Sequence, residues 1–218
     1  MEIICDLHIH SKYARGCSPR MGIREIANEA KVKGIDLVGT GDFTHPKYLE
    51  EIKRECKIDE GGSGFLKCNE IYFVPTVEIN NIFELPGGKK RRIHNLIVMP
   101  SLECAEQFND DIKNKSELGV DGRPWVRMSL AETVETVMEI SGKGLVIPSH
   151  AWTPWFGIFG AKGGFDSLKE AFEDKEKNIY AIETGLSSDP AMNWRCSWLD
   201  RVQLVSFSDA HSPEKLGR

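Results

Sequence analysis

Short apolar runs recur along the chain, and the pattern of polar and apolar residues switches between two periods. Compact runs rich in Ile, Val, Leu and Phe predict strands over Ile3–His8, Ile35–Thr40, Ile71–Ile79, Arg92–Met99, Leu145–Ser149, Ile179–Thr184 and Val202–Ser208. Between most of them, amphipathic stretches predict helices over Ile23–Lys33, Pro46–Cys56, Leu102–Asn114, Leu130–Ser141 and Phe165–Glu173. The fourth helix is the best marked: Ser129 and Glu132 are spaced as a capping box, and Gly142 and Gly144 supply a stop. This alternation predicts an α/β fold with a parallel sheet and helical crossovers, open or closed into a barrel. One step breaks the rule. Asn80–Leu85 and Arg92–Met99 flank Pro86–Lys90, which reads as a hairpin loop. Residues 113–127 are polar, with Gly119, Gly122 and Pro124, and read as a surface excursion. No stretch reads as a linker and no repeat occurs, so a single domain over residues 1–218 is expected.

Composition narrows the class. Of 218 residues, 40% are apolar and 28% charged, which excludes a disordered or collagen-like chain. No run of about 18 apolar residues is present to cross a bilayer. The first ten residues lack the basic and apolar segments of a secretory signal, so a cytoplasmic protein with no membrane partner is expected. The six cysteines contain no CxxC pair and are expected to be free thiols, with Cys5 buried in its strand. The net charge of −5 argues against gripping nucleic acid by charge alone, unless carboxylates hold metal ions.

The placement of the ionisable residues makes that exception important. All six histidines lie in or just beyond a predicted strand: His8 and His10, His45, His94, His150, His211. So do Asp6, Asp42, Glu78, Glu183 and Asp209. In parallel α/β folds the C-terminal strand ends are where sites are built. Strand alternation projects Asp6, His8 and His10 to one side, and Asp209 and His211 repeat the spacing. A lone histidine at a strand end is ordinarily structural. Eleven such groups at matching ends are costly to bury unless paired or metal-bound, and imidazole with carboxylate suits zinc, manganese or iron. Two or three divalent ions would bring the formal charge from −5 to between −1 and +1. His45, beside Pro46, suits a place at the start of a helix equally well.

The segments Asp6-Leu7-His8-Ile9-His10-Ser11, Gly41-Asp42, Glu78, His94, His150 and Ser208-Asp209-Ala210-His211 resemble the ordered motifs of the PHP superfamily of metallohydrolases. Longer runs, Val38–Asp42, His150–Gly160, Glu183–Pro190 and Ser208–Arg218, resemble the endonuclease Q family within it. The resemblance implies a distorted (β/α)7 barrel with its metal site at the C-terminal ends of the strands. It implies two to three divalent ions, zinc first, with manganese, magnesium or iron as alternatives. It also implies a DNA-repair endonuclease that nicks 5′ to deaminated bases (uracil, hypoxanthine, xanthine) or abasic sites. Two histidines of the wider PHP pattern are absent: Phe43 follows Asp42, and none lies in Lys12–Pro19. The family's C-terminal region is also expected to be missing.

The expected ligands are His8, His10, Asp42, Glu78, His94, His150, Asp209 and His211, with Glu78 bridging two ions and Glu78 and Asp209 as the catalytic carboxylates. Asp6 and Glu183 are candidates for ligation or for orienting a ligand. Lys90, Arg91 and Arg92 are candidates for phosphate contact, and Trp152, Trp155, Phe156, Asn193 and Arg195 for contact with an extruded base. Packing of the rim competes for several of the aromatics. The alternatives are a phosphatase acting on a small phosphoester, or a weakened PHP module that only binds. Replication or repair proteins as partners are not inferable from the residues.

Overall fold

A computed structural model describes residues 2–59 and 64–218. The predicted helices form where the apolar period is helical. In α1 (Ile23–Lys33) the buried face is Ile23, Ile26, Ala27 and Ala30, and Gly34 ends it in the left-handed conformation at φ 70°. α2 (Pro46–Glu55) opens on a proline, whose missing N–H costs nothing in a first turn. In α3 (Leu102–Ile112) the Ser101 side chain accepts from Cys104 N. α4 (Leu130–Ile140) carries the full capping box of Ser129 and Glu132, a contribution of about 1 kcal/mol. The fifth predicted helix shrinks to α5 (Leu168–Phe172), followed by a 3-10 turn, and a short α6 (Pro190–Asn193) was not anticipated.

The strands fall into three sheets. In the first, β1 (Cys5–Asp6), β2 (Leu37–Gly39) and β5 (Ile71–Val74) are parallel, and β4 (Leu66–Cys68) and β3 (Lys57–Ile58) continue antiparallel. The second has the order β8–β6–β7–β9, built on the hairpin of β6 (Thr76–Glu84) and β7 (Lys90–Val98), flanked by β8 (Trp125–Val126) and β9 (Leu145–Pro148). The third is the parallel pair β10 (Ala181–Glu183) and β11 (Gln203–Val205). All seven predicted strands are present, but the third is divided. Pro75 has no N–H to give to a ladder, so the run bends there and passes from the first sheet to the second. The anticipated hairpin brings β7 in antiparallel to both β6 and β9, so the sheets are mixed, not purely parallel.

Adjacent sheets meet through single hydrogen bonds. Ala151 N donates to Glu183 O (2.9 Å), and His10 N donates to Ala210 O (3.0 Å) beside a parallel bridge between Ile9 and Ala210. Most of the core lies between the helices and the strands. A second, small cluster is centred on Val74, Leu96, Val98 and Ile147, with Leu7, Leu37, Ala181 and Val205 packed against it. It therefore draws on all three sheets, through β2, β5, β7, β9, β10 and β11. Cys5 is exposed, against expectation, because nothing packs over the outer face of β1 where the strand begins; all six cysteines are free. No helix of the described residues is long and apolar enough to cross a membrane.

Candidate metal centre

Strand ends and the β6–β7 hairpin aim their ionisable side chains at one buried point. Ligand atoms of His8, His10, Glu78 and Asp209 lie within 4.8 Å of one another, and so do those of Glu78, His94 and His150. Glu78 belongs to both groups. Its Oε1 lies 2.9 Å from His94 Nδ1, 3.1 Å from His150 Nε2 and 3.5 Å from His8 Nε2; its Oε2 lies 3.4 Å from His10 Nε2. His10 Nε2 is also 3.1 Å from Asp209 Oδ1. His94 reaches Glu78 because β7 pairs Leu96 with Glu78 and His94 with Asn80, which puts the two side chains diagonally on one face.

Three residues at the centre are held in left-handed backbone: Asp42 (φ 43°), His150 (φ 31°) and Asp209 (φ 50°). Each follows the end of a strand. For residues with a Cβ this costs on the order of 1 kcal/mol or more apiece, a strain concentrated where the side chains converge. Gly41, at φ 66°, allows the turn before Asp42; a Cβ there would meet Ile9 O at 2.6 Å.

Each imidazole of the first group is gripped from behind by a carboxylate. His8 Nδ1 is 2.9 Å from both oxygens of Glu183, and His10 Nδ1 is 3.2 Å from Asp42 Oδ1. Glu183 also accepts from His150 N (2.8 Å), and Asp42 accepts from Ser11 N (2.5 Å). Burial works against a charged His8, but Glu183 and Glu78 outweigh it and hold its pKa well above the ordinary value. His10 is raised likewise: burial is outweighed by Asp209, Asp42 and Glu78. Burial alone would raise Glu78 and Asp209, yet the histidines prevail. His94 and His8 hold Glu78 well below the carboxylate range, and His10 and His8 hold Asp209 at about 2. His94 is lowered, mainly by burial.

The donor set fits divalent ions. His8 Nε2, His10 Nε2, His94 Nδ1 and Asp209 Oδ1 are buried without a hydrogen-bond partner, although carboxylate oxygens or imidazole nitrogens stand close by. Buried polar atoms are ordinarily satisfied, so four orphans facing one point are what ligand atoms look like. The second nitrogens of His8 and His10 are occupied by carboxylates, as in metal sites where an acid orients the ligating histidine.

Other expected residues are placed differently. Asp42 lies outside both groups, with its oxygens at His10 Nδ1 and Ser11 N. Glu183 stands in the same way behind His8. Asp6 accepts from Ser208 N (3.0 Å), Ser208 Oγ (2.5 Å) and Gly217 N (2.8 Å), which ties the C-terminal segment to β1. His211 is outside both groups; its Nδ1 is 2.8 Å from Asp209 O and its ring packs 4.7 Å from His10. His45 occupies the position before α2, with its ring 4.2 Å from Tyr13 and its Nε2 3.1 Å from Gly119 O.

The substrate candidates divide in the same way. Arg91 is buried, with its guanidinium 4.8 Å over the Phe165 ring, because alternation along β7 turns it inward between Lys90 and Arg92, which are exposed. Asn193 is buried and accepts from Trp152 Nε1 (2.8 Å), so these two brace each other. Phe156 stacks on His94 at 4.5 Å. Trp155, 63% exposed, and Arg195 remain free at the surface.

Two participants were not anticipated. Arg123, from the supposed surface excursion, reaches inward to Glu78 Oε2 (3.3 Å); burial opposes its charge but Glu78 raises its pKa. The loop can carry it there because Gly122 has no side chain: a Cβ would meet Asp42 Oδ2 at 2.4 Å. An arginine between glycine and proline in a polar loop was the only local sign. Thr153 Oγ1 lies 2.8 Å from His150 Nδ1, and no pattern marked it.

No protein-family model matches the chain. Over its full length, at 35% identity and a TM-score of 0.87, it superposes on a lesion-specific endonuclease Q from Pyrococcus furiosus, of which it covers 51%. The chain is endonuclease Q-like. A second solved endonuclease Q, bound to a duplex with an abasic lesion at its active site, matches 98% of the chain at 34% identity and a TM-score of 0.85, over 50% of its own length. An uncharacterized protein of Methanocaldococcus jannaschii is 36% identical over 68% of the chain and 16% of its own length. YqxK of Bacillus subtilis is 28% identical over the whole chain and 57% of its own. This endonuclease Q-like chain thus spans about half the length of the endonuclease Q structures it matches. PsfC of Pseudomonas syringae shares the fold alone, at 16% identity and a TM-score of 0.56 over 99% of this chain and 79% of its own.

Proposed function

We propose that this chain is a metal-dependent DNA-repair endonuclease. It hydrolyses a phosphodiester on the 5′ side of a damaged nucleotide, either a deaminated base (uracil, hypoxanthine or xanthine) or an abasic site. The observation that carries the reading is the whole-chain match, at 35% identity, to a lesion-specific endonuclease. The fold is read as a distorted (β/α)7 barrel forming one domain over residues 1–218. Support comes from the small cluster fed by all three sheets and from the backbone hydrogen bonds between neighbouring sheets.

His8, His10, Glu78 and Asp209 would hold one ion, and Glu78, His94 and His150 a second. Zinc suits this nitrogen and oxygen set first. When bound, paired divalent ions supply an activated water and offset the charge on the attacked phosphate. The chain's own residues set the stage for this. Glu183 and Asp42 fix the imidazole tautomers, so that Nε2 of His8 and His10 face inward as acceptors. Glu78 and Asp209, with pKa values held low, stay ionised throughout the working range. Arg123 spends one of its five N–H donors on Glu78 and has others to offer a phosphate oxygen. Lys90 and Arg92 are read as backbone contacts, and Trp155 and Arg195 as contacts beside the damaged nucleotide.

The test is incubation of metal-loaded protein with duplexes carrying one uracil, hypoxanthine or abasic residue. A nick 5′ to the lesion is expected, absent from undamaged duplex and lost with chelator or with Asp209→Asn. Turnover of an aryl phosphate without any duplex nicking would replace this reading with the small-phosphoester phosphatase.

A further inference from the structure

A groove of about 930 Å³ runs between the β6–β7 hairpin and residues 113–127, on the outer side of the segment that sends Arg123 to the metal centre. Its cationic lining is Arg15, Lys90, Arg92, Lys113, Lys115 and Arg127; its acids are Glu84, Glu117 and Asp121. The groove therefore carries an excess of three positive charges on a chain whose formal charge is −5. Arg15 faces Asp121 and Lys113 faces Asp110. Among the described residues, no carboxylate lies within 4 Å of Lys90, Arg92, Lys115 or Arg127. Four cations outside any ion pair, set against Glu84 and Glu117 in the same lining, leave the concavity net positive and raise the local concentration of anions.

The wall also holds Trp125, which is 58% exposed. Strand alternation turns Val126 into the core and Trp125 outward, so packing asks only for a residue that tolerates water there. A tryptophan exposes a large apolar face instead. The Arg92 guanidinium sits 5.5 Å over that ring. An acidic peptide would use the cations but not the flat face. Unpaired cations around an exposed aromatic plane are the means by which proteins hold an unpaired nucleic-acid strand: phosphates take the charges and a base stacks on the ring.

The groove and the site are built on shared elements. Trp125 pairs with Asn80, which lies two residues beyond Glu78 on β6. Asp121–Trp125 thus carries one side chain, Arg123, into the metal centre and another, Trp125, into the groove. We propose that this groove holds unpaired nucleotides of the DNA strand that passes through the metal centre, with phosphates on Lys90, Arg92, Lys115 and Arg127 and one base stacked on Trp125. This assignment rests on the nuclease reading above.

Fluorescence anisotropy with a labelled abasic-site duplex and with the corresponding single strand, at rising salt, tests the proposal alongside nicking. Lys115→Gln combined with Arg127→Gln should weaken binding ~10-fold or more and lower the slope of log affinity against log salt by about two. Trp125→Ala should weaken binding ~10-fold with the slope unchanged, and Trp125→Phe should restore it. In nicking, both losses should raise KM and leave the saturating rate intact. The groove is overturned if these variants bind as the parent does, if the parent binds no DNA, or if polyglutamate competes as well as the oligonucleotide. Normal nicking with unaffected binding in the variants leaves the nuclease standing without its groove. Weakened binding in the variants with no nicking by any protein leaves the groove standing and removes the nuclease.

Discussion

The two ligand groups share Glu78 yet are built differently. In the first, His8 and His10 each have a carboxylate at the rear nitrogen, Glu183 and Asp42, and both imidazoles have raised pKa values. In the second, His150 is held by the Thr153 hydroxyl and His94 is stacked on Phe156, with the His94 pKa lowered by burial. An anionic partner makes a histidine a more basic ligand and fixes its ring; a hydroxyl or an aromatic face fixes the ring without adding charge. Under the proposed function, an ion in the first group would be held more tightly than one in the second.

The largest effect should come from breaking what the groups share. Glu78→Gln removes the only anionic ligand of the second group and one of two in the first, so metal analysis should find both ions reduced and nicking lowered ~1,000-fold or more. Retention of one tight ion would show the first group to be independent of the shared carboxylate.

Glu183→Gln attacks the first group at its imidazole, while the bond from His150 N can still be accepted by the Gln amide oxygen. It should weaken the first ion's affinity by about 10–100-fold, as loss of an orienting carboxylate does, and leave the second within a few-fold. A chelator titration that releases the ions in two steps measures this. Equal loss from both groups would erase the distinction.

Acidity should separate the groups more gently. His8 and His10 keep protons above the ordinary imidazole pKa, so an ion entering the first group must displace them. Affinity there should rise with pH through neutrality, with protons released in calorimetry at two buffer enthalpies. His94, with its pKa lowered, should make second-group uptake nearly flat over the same range. In metal-free protein the same sign applies to folding. The raised histidines contribute stability that is complete below about 6.5 and lost as pH climbs through their folded values. Asp209, held at about 2, contributes above its ordinary range and is lost as pH falls toward that value.

The smallest effect belongs to the rim. Trp155→Ala should reduce preference for damaged over undamaged duplex several-fold without altering metal content, because the ring is exposed and touches neither group. Loss of metal alongside preference would make Trp155 part of the centre's packing.

Much of the chemistry could be read from local patterns. Alternation around His8 and His10 puts both rings on one side of a strand whatever the rest of the chain does, and burying so many ionisable groups without metal would be costly. The hairpin at 86–90 was equally legible, since proline interrupts a ladder and glycine permits the positive φ of a tight turn, as at Gly87 and Gly88. Pro75 was visible too, but a proline says only that a ladder must break, not where the chain goes next. Arg123 and Thr153 carried no pattern, because each acts through one contact made after the chain has folded.

The sequence by itself determined which atoms were available and which neighbours would point the same way, because those follow from a strand's two-residue repeat. Tertiary structure alone decided the roles. Glu183 reaches His8 across 175 residues and Asp42 reaches His10 across 32, and these contacts set which carboxylates stand behind the imidazoles and which face the shared centre. A hydrogen bond depends on ångström-scale distance and direction, and only the packing of the sheets around Glu78 sets those.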